Sequence, residues 1–225
     1  MEDLTLRQLV SQVRSMNKLI SGDNVLTDRT VAQEINSVNV KYVLQKYDNR
    51  EALTSPSLFT TLPCIPMVKV DIVECCDVQT NCKIRKSEYP LPPIANSKFN
   101  NVVQGVWSLD KRVRFKECPP NRYANYLKLN NKTKERFFWI IDNYLYVTDE
   151  NIEKVAIAAF FTEPVDTRLY SCEGEPLCPA NPLDLPFRTL PKIVDDIKVA
   201  AYQRVMEIYR RSVRDPQVDN IEQPQ

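Results

Sequence analysis

Residues 137–148 read Phe-Phe-Trp-Ile-Ile-Asp-Asn-Tyr-Leu-Tyr-Val-Thr, two arms of aromatic and β-branched residues around Asp142-Asn143. Such arms favour extended backbone, and Asp-Asn tolerates the positive φ angles of a two-residue turn, so the stretch predicts a β-hairpin. Upstream, 102–109 (VVQGVWSL) and 111–115 (KRVRF) form two further β candidates joined near Asp110. Earlier still, 65–76 (IPMVKVDIVECC) alternates Met67, Lys69 and Asp71 against Val68, Val70 and Ile72, the period-two pattern of a half-buried strand. Prolines 90, 92 and 93 turn the stretch that follows into a loop or an edge segment. Downstream, 154–162 (KVAIAAFFT) reads as one more strand. The expectation for 65–162 is a small antiparallel β unit.

Helical periodicity brackets this unit. Leu6, Leu9, Val10, Val13, Met16, Leu19 and Ile20 recur at spacings of three and four, and Ser21-Gly22-Asp23-Asn24 supplies a stop. A second helix starts near Thr27 or Thr30, where Thr30-Val31-Ala32-Gln33 has the form of a capping box, and the two helices make an N-terminal helical hairpin within 1–47. Residues 163–189 form a Pro/Cys-rich loop with prolines 164, 176, 179, 182 and 186 and with Cys172 and Cys178. A long irregular stretch of this kind is usually functional or packed on a partner. The helix expected over 190–214 has Thr189 as its cap and Pro191 in its first turn. Asp195 and Asp196 lie at its positive end and Arg210, Arg211 and Arg214 at its negative end, as the macrodipole favours. Residues 215–225 are a polar tail, disordered when free or extended on a neighbour. The fold class is therefore α+β: N-terminal helical hairpin, central antiparallel unit, long C-terminal helix and extended tail, packed as one compact domain.

Composition restricts the chemistry. The chain has 225 residues, of which 43% are hydrophobic, with 30 Lys and Arg against 29 Asp and Glu, a formal net charge of +1. That balance does not suit a surface that tracks nucleic acid throughout. With no histidine, Ser-His-Asp and Cys-His catalysis and His-liganded metals are absent. The three glycines, Gly22, Gly105 and Gly174, are scattered, so no phosphate cradle is built. Asp195-Asp196, Asp149-Glu150 and Glu173-x-Glu175 are the paired carboxylates. Neighbours on a helix point about 100° apart, so the first pair cannot easily converge on one substrate, and Glu173 with Glu175 falls short of a calcium ligand set. No apolar run reaches the length of a membrane span, and the N-terminus lacks the pattern of a signal peptide. The expectation is a chain made and kept in a cytoplasm, with its seven cysteines reduced and mostly buried. Cys75, Cys76, Cys82, Cys172 and Cys178 are weak metal candidates, since no CxxC knuckle is present. Lys111, Arg112, Arg114 and Lys116 alternate with apolar residues and, with Arg210, Arg211 and Arg214, offer a basic face for DNA or an acidic neighbour.

Two N-terminal helices, a β-rich middle containing FFWIIDNYLYV and the C-terminal LPKIVDDIKVAAYQRVMEIYRRSVRDPQVDN resemble the neck proteins of tailed bacteriophages, and more narrowly the head–tail connector or ring proteins of crAss-like phages. The resemblance implies a homo-oligomeric ring, commonly twelve-fold, that joins the portal to the tail and lets DNA pass. Its partners would be the portal protein and other neck or tail ring proteins, with no cofactor and no membrane. Its place would be the virion neck or tail, reached from the host cytoplasm during assembly. Subunit contacts are expected in the tail (Asp215, Gln217, Asn220, Gln225) and in the loop (Pro176, Pro182). The alternatives are a cytosolic non-enzymatic adaptor and a cysteine-based metal-binding protein.

Overall fold

The structure, a computed structural model, describes residues 4–16, 26–49, 55, 58–71, 83–98, 100–123, 135–172 and 178–214. Seven strands, β1 (Thr60–Asp71), β2 (Lys83–Ser87), β3 (Val103–Ser108), β4 (Arg114–Glu117), β5 (Phe137–Ile141), β6 (Tyr144–Val147) and β7 (Lys154–Ala159), close into a barrel. Their order around it is β1-β2-β6-β5-β4-β3-β7.

The hairpin forms where the sequence puts it. Asp142 and Asn143 take φ of 50° and 63°, and β5 pairs with β6 from Phe138↔Val147 to Ile141↔Tyr144. Both faces of this hairpin are covered. Phe138, Leu145 and Val147 point into the barrel, while Phe137, Trp139 and Tyr146 pack outside it, with the Trp139 and Tyr146 rings stacked 6.1 Å apart.

The β region is thus a closed barrel and not a small antiparallel unit, and one of its seams, β4 with β5 through Lys116↔Phe137 and Glu117↔Phe138, is parallel. Closure depends on β1, which pairs with β7 along its first half and with β2 along its second. A bulge between Leu62 and Ile65 interrupts the pairing with β7, which resumes at Ile65 and Pro66 before β2 takes over at Met67. The strand begins earlier than expected, and its faces are exchanged. Met67 joins Leu62 and Ile65 inside, while Val68 is 40% exposed. Strand β2 escapes the sequence reading because KIRKS offers one apolar residue, Ile84, and no alternation to detect.

Three helices, α1 (Leu6–Ser15), α2 (Asp28–Asp48) and α3 (Val194–Arg214), pack together beside the barrel. Leu6, Leu9, Val10 and Val13 of α1 meet Val31, Ile35, Val38 and Val43 of α2 and Ile197, Ala201 and Val205 of α3. Phe160, Val102 and Ala95 carry this core to the barrel, where Ala95 N–H donates to Phe160 O and Phe160 N–H donates to Val102 O. Each fully buried side chain of this size stabilises the fold by about 1.5–3 kcal/mol.

Capping differs from expectation twice. The capping box lies at Thr5 and Gln8, whose side chains accept from each other's backbone N–H at 3.3 and 2.9 Å, and α2 is capped by Thr27, with Thr30 already inside the first turn. Thr189 does not cap α3. Its hydroxyl donates to Asn39 Oδ1 at 2.8 Å, and Asn39 Nδ2 donates to Arg188 O at 2.9 Å, so the threonine satisfies a buried amide instead. The chain enters α3 through a 3₁₀ turn, Pro191–Ile193. The tail 215–225 lies outside the described residues.

Candidate functional site

The loop at 163–189 is fastened to itself and to the rest of the molecule at separate points. Asp166, 7% exposed, gathers four donors: Arg168 side-chain N–H groups at 2.9 and 2.8 Å, the Arg168 backbone N–H at 3.1 Å and the Ala180 backbone N–H at 2.9 Å. One carboxylate therefore caps the 3₁₀ turn Thr167–Tyr170 and holds the returning chain at Ala180. The Arg168 guanidinium, chiefly, drives the Asp166 carboxyl far below the usual carboxylate range, against the opposing effect of burial.

A second fastening is covalent. Cys172 forms a disulfide with Cys64, with Cα atoms 5.3 Å apart. This corrects the expectation of reduced thiols throughout. Pro63 and Cys64 occupy the β1 bulge, between two residues that both join the barrel core, and the bulge frees Cys64 from the inward–outward alternation. Residues near the loop's end bind α1: Arg7 pairs with Asp184 at 2.5 Å, Thr5 bridges Pro186, and Phe187 N–H donates to Leu4 O at 2.7 Å. Pro182 opens the short 3₁₀ turn Pro182–Asp184, which Asn181 caps. Pro176 lies outside the described residues, as do Asp215, Gln217, Asn220 and Gln225.

Alternation on β4 sends Phe115 inside and leaves Arg114 and Lys116 exposed. The β3–β4 turn is built by Ser108, whose hydroxyl donates to Asp110 and accepts from Val113 N–H at 3.1 Å, and it presents Lys111 and Arg112 at its tip. The cations are not a bare patch. Arg112 lies 3.6 Å from Asp110, Lys116 pairs with Glu135, and an Arg114 guanidinium N–H donates to Gln104 O at 3.2 Å. The Ser108 hydroxyl, then the Arg112 N–H, lower the Asp110 carboxyl. Beside Arg114, the Trp107 ring lies against Gly105, where a Cβ would stand 2.8 Å from Trp107 Cζ3, so a side chain at this position would have to displace the ring. Arg210 and Arg211 are exposed on the last turns of α3, and Arg214 ends it.

The remaining candidates separate. Cys178 is exposed and free, Cys172 is occupied by Cys64, and Cys75, Cys76 and Cys82 lie outside the described residues. Among the described residues no group of three or more His, Cys, Asp or Glu is placed to hold a metal ion, and no helix is long and apolar enough to cross a membrane. Asp195 pairs with Lys198 at 2.8 Å and Asp149 with Arg136 at 2.9 Å, so these acids of the paired candidates have structural partners. The sequence reading missed Asp166 and the Cys64–Cys172 link. Asp-x-Arg before a short turn was a signal for the first; for the second, spacing alone offered none.

What the described surface presents is a closed barrel, a three-helix layer and a clamped loop, without a catalytic constellation among the described residues. The family model described as phage tail ring protein 2, of crAss-like phages, matches residues 8–223. The chain belongs to that family. It is therefore a structural component of the phage tail ring assembly and of the virion. No curated protein matches it.

Proposed function

We propose that this tail ring protein is a non-enzymatic subunit of a closed homo-oligomeric ring, twelve-fold, which joins the portal to the tail and passes DNA through its lumen. The observation that carries the reading is the family match along 8–223, joined to a closed barrel. Strands that close on one another leave only short stretches unpaired, so ring contacts fall to side chains of loops, helices and tail. A cyclic ring needs two different patches on each copy that meet at a rotation that closes. The clamped loop 163–189 and the tail 215–225 supply these patches, and the portal and other neck or tail rings meet the ring's two ends. Assembly takes place in the host cytoplasm.

The cations around β4 fit the passage of DNA better than its capture. Affinity for DNA rises with the number of phosphates that free cations neutralise. Pairing Arg112 with Asp110 and Lys116 with Glu135 lowers that number, which suits a wall along which the duplex slides. Electron microscopy of the purified chain tests the interface. Deleting 217–225 is expected to abolish rings while leaving the folded subunit; unchanged rings would remove the tail from the contact.

A further inference from the structure

The loop is joined to the barrel by one covalent bond between sulfurs of unequal access. Cys64 is 5% exposed at the β1 bulge, whereas Cys172 is exposed at the end of the 3₁₀ turn Thr167–Tyr170. The link spans 108 residues and ties the first strand of the barrel to the segment following the last. Cross-links over long spans restrict the unfolded chain most.

The partners of this bond are held in place without it. Asp166 fixes both Arg168 and Ala180, on either side of Cys172. Tyr170, two residues before Cys172, packs on the barrel core, and the loop's far end is tied to α1 by Arg7–Asp184 and the Thr5–Pro186 bridge. An open form would thus keep the two thiols near each other, and closing the bond needs little search of conformations.

We propose that Cys64 and Cys172 are a redox latch, open in the reducing interior of the cell where the chain is made and closed by low-molecular-weight disulfides once the particle is released. The exposed thiolate of Cys172 attacks a sulfur of the small disulfide and expels one small thiolate, leaving a mixed disulfide on Cys172. Cys64 gives up its proton to water, its sulfur attacks Cys172 Sγ, and the second small thiolate leaves. Two protein thiols are oxidised and one small disulfide is reduced to two thiols. Burial of Cys64 sets the order, because only Cys172 meets the oxidant. Closure adds a covalent tie to a loop otherwise held by apolar packing, ion pairs and hydrogen bonds. That this stiffens a contact arm between subunits rests on the ring reading above; the chemistry of the latch does not.

The test uses the full chain carrying Cys178→Ser, which removes the competing exposed thiol of the same loop. It is reduced, then equilibrated in glutathione buffers of rising oxidised fraction. Alkylation with peptide mass spectrometry reads each cysteine, and chymotryptic cleavage after Leu169 and Tyr170 reads the loop. Cys64 and Cys172 are expected to lose alkylation together in one transition, with cleavage slowed about tenfold as local opening is suppressed. The further substitution Cys172→Ser should keep the fast cleavage of the reduced chain in every buffer. Glutathione retained on Cys172 while Cys64 stays alkylatable, pairing of either with another cysteine, or cleavage unchanged by closure would each overturn the latch. Mass photometry of the same samples scores ring formation separately. Latching without rings would sink the ring reading alone, and rings without latching would sink the latch alone.

Discussion

The β5–β6 hairpin and the loop 163–189 are held by different balances of packing and single bonds. In the hairpin Phe137, Phe138, Trp139, Leu145, Tyr146 and Val147 are buried, some inside the barrel and some outside it. Its stability is spread over many apolar contacts, those of Phe138, Leu145 and Val147 inside the barrel and those of Phe137, Trp139 and Tyr146 on its outer face. The loop buries Leu185 and Phe187 and lays Val165, Tyr170 and Leu183 against the two cores, and beyond these it is held by identifiable single bonds: one carboxylate that ties it to itself, one disulfide, one ion pair with α1 and a short backbone bridge. The contrast implies that the hairpin yields only with the whole fold, whereas the loop can loosen one bond at a time while the barrel stands. A ring subunit suits this division, since its frame must endure while its contact segments adjust to a neighbour.

The contrast is broken most severely from the barrel side. Leu145→Ala empties a fully buried site between β5 and β6 and should cost about 2–5 kcal/mol in global stability by denaturant titration. A loss confined to the loop would show that the hairpin is not part of the cooperative core. Asp166→Asn comes next, at about 1.5–3 kcal/mol for lost charge-assisted bonds, towards the lower end because Arg168 is largely exposed. That loss should appear as faster hydrogen exchange at 167–180 with barrel amides unchanged, and equal acceleration in both regions would erase the distinction.

Acid offers a graded version of the same test. The carboxyls of Asp166, Asp184 and Asp110 are all lowered, by Arg168, Arg7 and Ser108 respectively as the leading cause. Their contribution is therefore present above the unfolded carboxylate value of about 3.9 and is lost as pH falls through their folded values. With no histidine, the melting temperature should stay flat from about pH 5 to 8 and drop only below about pH 4. A step near pH 6 would contradict this account. The smallest effect belongs to Arg7→Ala: removing this exposed pair should leave the melting temperature nearly unchanged.

Legibility in the sequence follows the same line. The hairpin was readable because its propensities, its turn and its burial agree, and the α3 stripe of Ile197, Ala201 and Val205 was readable because helical periodicity tracks burial. Barrel closure was not, since it depends on β1 changing partners between Pro66 and Met67 and on the polar β2, facts of long-range pairing rather than local pattern. Thr189 was misread as a cap because its partner, Asn39, lies 150 residues away. The loop's position was legible from its prolines, but its fastenings were not: Asp166 and Cys64 gain their roles only when the fold brings Ala180 and Cys172 to them.

Cryo-electron microscopy of intact particles tests the central claim most directly. The account predicts a closed ring between portal and tail in which each subunit fits one seven-stranded barrel, with the loop 163–189 or the tail 215–225 at every contact between copies. Contiguous strand pairing between neighbouring barrels, or particles in which this chain occupies no ring, would contradict it.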